Sequence, residues 1–169
     1  MRIQAWHNTK GDASFPVKVA ITILVSLAYA FGLRIGYEPG GNLAGHILYM
    51  LSHANVFHLM ANLFCLWLLR GKLHALQSCA ISIACSYLPC LCPGPTMGMS
   101  GFLMAEIGMR WGSASNLAGM CKAVLPALLL SGLLPNVNVM IHLYCLFVGY
   151  LVAVIQKRFG ERRRDKKTN

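Results

Sequence analysis

The stretch CPGPTMGMSGFLMAEIGMRW, residues 92–111, joins a helix-breaking prefix, a single serine and an apolar run too short to cross a bilayer. Pro93, Gly94 and Pro95 close the preceding helix, since proline cannot donate the backbone hydrogen bond that a helix interior requires. The helical pattern resumes near Met99 and ends near Arg110. That is about 18 Å at 1.5 Å per residue, whereas a hydrocarbon core is about 30 Å thick. Arg110 and Trp111 anchor the far end at a membrane interface, so Ser100 falls near mid-membrane. A helix end at that depth must be buried in protein or line a water-filled cavity. The stretch predicts a water-filled pit with Ser100 at its floor.

The bilayer itself is inferred from the rest of the chain. Hydrophobic residues make up 56% and charged residues 12%, against about 25% charged in a soluble domain. The mean hydropathy is +0.55. At 169 residues the chain is expected to be a single membrane domain, 1–169. Its apolar runs predict an all-α polytopic bundle of six transmembrane helices, with the short fourth helix starting mid-membrane. They cover Phe15 to Leu33, Val56 to Leu69 with Asn55 as N-cap, Leu73 to Leu91, Met99 to Arg110, Ala123 to Leu134, and Val137 to Gln156. The first, third and sixth are long enough to cross the hydrocarbon core.

The net charge of +10 is not spread evenly: seven of the fifteen lysines and arginines lie in the last thirteen residues, KRFGERRRDKKTN. With segment 1–14 and the tail 157–169 in the cytoplasm, six spans put Arg2, Lys10, Lys18, Arg70, Lys72, Arg110, Lys122 and the tail inside. Only Arg34 lies outside, as the positive-inside rule asks. The expected location is multi-pass in the plasma (inner) membrane. The basic tail suits contact with anionic lipid headgroups. No aromatic platform or recognised module accompanies the charge, so nucleic acid is not an expected partner. Ala28-Tyr29-Ala30 also fits a signal-peptidase site, and cleavage there would leave five spans with the same orientation. The seven cysteines read as packing residues. Cys90 and Cys92, one leucine apart, suit neither zinc nor a relaxed disulfide, and no metal or cofactor is expected.

Four polar residues share the outer half of the apolar segments: His58, Asn62, Ser100 and His142. Such groups are costly at membrane depth and are functional candidates for that reason. Cys145, Gly149 and Ala153 recur every four residues and form a low ridge that shares a face with His142. Gly101, Ala105 and Gly108 form a matching face on the fourth helix. Small-residue faces are where membrane helices approach closely, and packing these two brings His142 beside Ser100. His58 and Asn62, four apart, point the same way and can donate to a developing oxyanion. The helix N-terminus adds backbone N–H groups at Ser100. No carboxylate completes a triad. Asp12, Glu161 and Asp165 lie in the tails, Glu38 lies in an outer loop, and Glu106 is expected to pair locally with Arg110. The chemistry is that of a Ser–His dyad.

On these residues the sequence resembles the rhomboid family of intramembrane serine proteases. His53-Ala54-Asn55-Val56-Phe57-His58-Leu59-Met60-Ala61-Asn62 is similar to the family's second-helix signature, Gly98-Met99-Ser100-Gly101 matches its G-x-S-G, and His142 with Gly149 is similar to its sixth-helix motif. The resemblance spans about Gly45 to Ala153. It implies Ser100 as nucleophile, His142 as general base and acid, and His58, Asn62 and the Ser100 N–H as the oxyanion hole. His53, Gly98, Gly101, Met104, Cys145 and Gly149 would support them, and the substrates would be single-pass transmembrane proteins. Some positions depart from the family. Met104 replaces a usual aromatic one turn below Ser100, Cys145 replaces a glycine, Ile141 replaces a usual alanine, and Ala44-Gly45 stands where a Trp-Arg pair is common. An inert rhomboid-like scaffold that binds transmembrane clients is the main alternative. A small transporter or channel is another, although no internal repeat or charged pathway supports it.

Overall fold

The computed structural model describes residues 14–38, 40–89, 95–113 and 137–168, with residues 118, 122 and 124 besides. The expected fifth helix, Ala123 to Leu134, lies outside the described residues, as do residues 90–94 and most of the N-terminal segment. Among the described residues the structure is all-helical. The helices are α1 (Phe15–Ala30), α2 (Leu43–Leu48), α3 (Val56–Leu68), α4 (Ala75–Ser86), α5 (Ser100–Ser113) and α6 (Val139–Thr168). One isolated antiparallel bridge joins Tyr37 to Thr96.

Pro16 sits in the first turn of α1, where its missing N–H has no partner to lose. The helix ends three residues before the expected Leu33. Gly32, at φ 73°, lets the chain turn back, and the Gly32 and Leu33 amides donate to the carbonyls of Tyr29 and Ala28 at 3.0 and 2.9 Å. That is a glycine-closed helix end. Helix α3 starts where Asn55 was expected to cap it, the Asn55 side chain accepting from the His58 N–H at 2.9 Å.

Two of the three runs expected to be long enough to cross a membrane are shorter in the structure. Helix α1 has 16 residues. Helix α4 has 12 and covers Ala75–Ser86 rather than Leu73 to Leu91. Its start is delayed because Glu106 holds the His74 backbone N–H, and its end is advanced by Pro89, which disfavours helix at the residue before it. Only α6, over Val139–Glu161, is long and apolar enough among the described residues, with a mean hydropathy of 2.0. It also runs past the expected Gln156 to Thr168, because lysine, arginine and glutamate are good helix formers and no proline intervenes. Helix α2, in the connection between α1 and α3, was not anticipated. Asn42 caps it, accepting from the Gly45 N–H at 2.8 Å.

Helices α5 and α6 pack backbone to backbone. A Cβ on Gly149 would meet the Ala105 carbonyl oxygen at 2.3 Å, and one on Gly108 would meet that of Leu146 at 2.1 Å. A third contact, Gly112 against Tyr150 and Ala153, extends the seam by a turn that the sequence reading had missed. Gly101 lies at the edge of this seam, meeting Ser82 and Tyr49 before Ile141 of α6.

The far end of α5 is tied to α4 through one carboxylate. Wholly buried Glu106 accepts from the His74 N–H at 3.0 Å and the Ser78 hydroxyl at 2.9 Å. Arg110 pairs with it at 3.1 Å and also donates to the Arg70 and Lys72 carbonyls. The expected Glu106–Arg110 pair is present as part of this larger cluster.

Large apolar side chains are exposed and several polar ones are buried beside the apolar core. Phe57, Met60, Phe64 and Leu68 form an exposed stripe at helical spacing on α3, and Phe31, Leu76, Phe147 and Phe159 are also exposed. Ser52, His53, Ser78, Ser82, Ser86, Glu106, Asn138 and His142 are buried.

Candidate active site

The site is assembled from three short segments: the turn before α5, the first turn of α6 and the start of α3. Gly98 adopts φ 117°, a region that side-chain-bearing residues avoid. Its N–H donates to the Tyr49 carbonyl at 2.8 Å. A Cβ at Gly98 would fall 2.5 Å from Cε1 and 2.8 Å from Nε2 of His58. The glycine is therefore required twice, by conformation and by the imidazole lying over it.

Ser100 is the first residue of α5. The first amides of a helix have no partner within it and carry its positive dipole end. The Ser100 Oγ lies 2.8 Å from Nε2 of His142. His142 is buried in the first turn of α6, and the close α5–α6 seam holds the two side chains at one level. Asn138 caps that turn. Its Oδ1 accepts from the Ile141 N–H at 3.4 Å, and its amide donates to the Tyr37 hydroxyl at 3.0 Å and the Thr96 hydroxyl at 2.8 Å. The α6 start is thus fastened to the Tyr37–Thr96 bridge.

His58 and Asn62 lie four residues apart on α3, but they are not equally available. The His58 ring rests on Gly98, two residues from Ser100. The buried Asn62 amide instead turns back on its own helix, donating to the His58 carbonyl at 2.9 Å. An amide carries two N–H groups, so one is left for a ligand. His53 is wholly buried, edge-on to His58 with 5.3 Å between ring centroids. Its Nδ1 lies 3.3 Å from the Leu51 carbonyl, while its Nε2 is buried without a hydrogen-bond partner. Loss of hydration, then the neighbouring His58, pushes its pKa down to about 4.

Behind Ser100 lies a second polar group that sequence reasoning missed. The Tyr49 hydroxyl lies 2.5 Å from Ser82 Oγ and donates to the Ser82 carbonyl at 3.1 Å. Both oxygens abut Gly101, whose Cβ would meet them at 2.9 and 2.7 Å. Tyr49 therefore supports the turn around Ser100 through its carbonyl and through its hydroxyl. Cys145 is wholly buried, in the same apolar cluster as Cys85 of α4. Met104 is half-buried and packs against both apolar clusters of the interior. For Asn138 the available signal was its N-cap pattern before an apolar run. Tyr49 carried none.

The arrangement supplies a hydroxyl hydrogen-bonded to an imidazole at a helix N-terminus, with a second imidazole beside it. Among the described residues no group of histidine, cysteine or acidic side chains is built to hold a metal ion. No known protein-family model matches this chain. No curated protein matches it significantly either.

Proposed function

We propose that this chain is a rhomboid-type intramembrane serine endopeptidase that cuts single-pass transmembrane proteins in or near their membrane segments. The observation that carries the reading is the 2.8 Å contact between Ser100 Oγ and His142 Nε2 at the N-terminus of α5. His142 takes the Ser100 proton as Oγ attacks the scissile carbonyl, then passes it to the departing amine. Water hydrolyses the acyl-enzyme by the same relay in reverse. The oxyanion is received by the Ser100 N–H, His58 and the remaining N–H of Asn62. The reaction needs no cofactor.

The membrane part of the proposal is a six-span bundle with both termini in the cytoplasm. Three observations support it: the apolar length of Val139–Glu161, the exposed apolar faces and the polar groups buried beside the apolar core. The α1 and α4 helices, shorter than a bilayer, would need local thinning or flanking residues to complete their crossing. The basic tail would face anionic lipid.

An inert scaffold that binds transmembrane clients is the second reading, favoured by the engagement of the Asn62 amide with its own helix. Cleavage of a single-pass substrate in proteoliposomes separates the two. The native chain is expected to cut it, and Ser100→Ala and His142→Ala to lose cutting. Substantial cleavage by either variant removes the dyad, and none by the native chain leaves the scaffold.

A further inference from the structure

A cavity of about 430 Å³ opens between the end of α5 and the middle of α6, far along both helices from the dyad. Its walls include Trp111, Tyr150, Val154, Lys157, Arg158 and Glu161. We infer that this groove binds the phosphate of an anionic phospholipid. The inference rests on the reading that α6 crosses a membrane, but not on proteolysis.

Three observations converge. The groove sits where the apolar part of α6 gives way to the run KRFGERRRDKK, the level at which a span would leave the hydrocarbon. Aromatic and basic side chains gather at that level. Next, the indole N–H of Trp111 is buried without a hydrogen-bond partner. Buried donors in folded proteins are nearly always satisfied; Trp111 lines the groove, so a small turn of its ring would bring this donor to an acceptor there. Finally, the charges on the walls are two cations and one carboxylate, a surplus of one positive charge. A phosphodiester carries the complementary single negative charge. Glu161 would oppose a dianion, yet it can accept from the hydroxyls of a glycerol headgroup. Tyr150 and Val154 provide the apolar surface that an acyl chain would follow and a free phosphate would not use.

The test uses the full chain in neutral detergent, with monomeric short-chain phosphatidylglycerol as probe and thermal stability as readout. A saturable rise in Tm is expected. Lys157→Gln with Arg158→Gln should weaken the apparent affinity by about tenfold or more, since each cation near an anionic headgroup contributes attraction. Lys166→Gln with Lys167→Gln, the same charge removed farther along the helix, should leave it nearly unchanged. Trp111→Phe keeps an aromatic ring, removes the donor and should weaken binding as well. Short-chain phosphatidylcholine, whose choline cation cancels the phosphate charge, should bind less tightly. Equal losses from the two double variants would show diffuse attraction and overturn the site. So would an equal rise with inorganic phosphate, which would assign the groove to a free anion, or no saturable rise at all.

Discussion

Gly98 has no side chain because the His58 imidazole occupies its place. Single-residue relations of this kind decide what the site can do. His58 and Asn62 looked equivalent in the sequence, four apart on one helical face, yet the Asn62 amide is already engaged with the His58 carbonyl. Removing a free oxyanion donor typically costs about 10²–10³ in kcat. His58→Ala is expected to lose activity in that range with little change in KM. Asn62→Ala should lose less, about tenfold, because one of its two amide N–H groups is spent within α3. Steady-state kinetics on a transmembrane substrate measures both, and equal losses would mean that the Asn62 amide turns toward the site during reaction. The main polar positions were legible because polar residues in apolar runs stand out against their neighbours. Tyr49 was not legible, because a tyrosine near an interface has an ordinary reason to be there, and its carbonyl contact to Gly98 depends on a turn that the sequence does not encode locally.

At the scale of elements, the α5–α6 seam aligns the dyad. The small residues that announced it were Gly101, Ala105 and Gly108 on α5 and Cys145, Gly149 and Ala153 on α6. The closest contacts fall on Ala105, Gly108, Gly149 and Ala153, whereas Gly101 meets Ser82 and Tyr49 before Ile141. Helix ends were harder to read. Glycine closes α1 early at Gly32, and a carboxylate from α5 holds back the start of α4, which is a tertiary effect with no local signature. The seam gives a graded prediction. Gly149→Ala adds a methyl carbon where the Ala105 carbonyl oxygen lies only 2.3 Å away, so the helices must separate. Overpacking of this kind typically costs about 1–3 kcal/mol, and here it would also lengthen the Ser100–His142 contact. Both Tm and kcat should fall. Gly160→Ala on the same helix meets nothing within 4 Å and should raise stability slightly through helix propensity. If Gly149→Ala retained native Tm and kcat, the seam would not be what aligns the dyad.

At the scale of the whole molecule, large apolar side chains among the described residues are exposed on α3 and α6, and polar groups such as Ser78, Ser82, Glu106 and His142 are buried beside an apolar core. In the sequence the basic residues collect at the end of α6. The proposed topology follows from that distribution and predicts that reporter fusions at Asn169 and near Lys10 both report a cytoplasmic location. Either end found outside would exclude the six-span arrangement. Composition made the all-helical class legible, whereas the lengths of α1 and α4 depended on end contacts that composition does not carry. The central claim is that Ser100 is a nucleophile activated by His142, and a covalent trap reads it most directly. The native chain, Ser100→Ala and His142→Ala are incubated with a serine-directed phosphonate, and the intact masses are compared. The account predicts a single adduct on the native chain, mapped to Ser100, and none on either variant. A native chain that stays unmodified, or an adduct that survives Ser100→Ala, would contradict it.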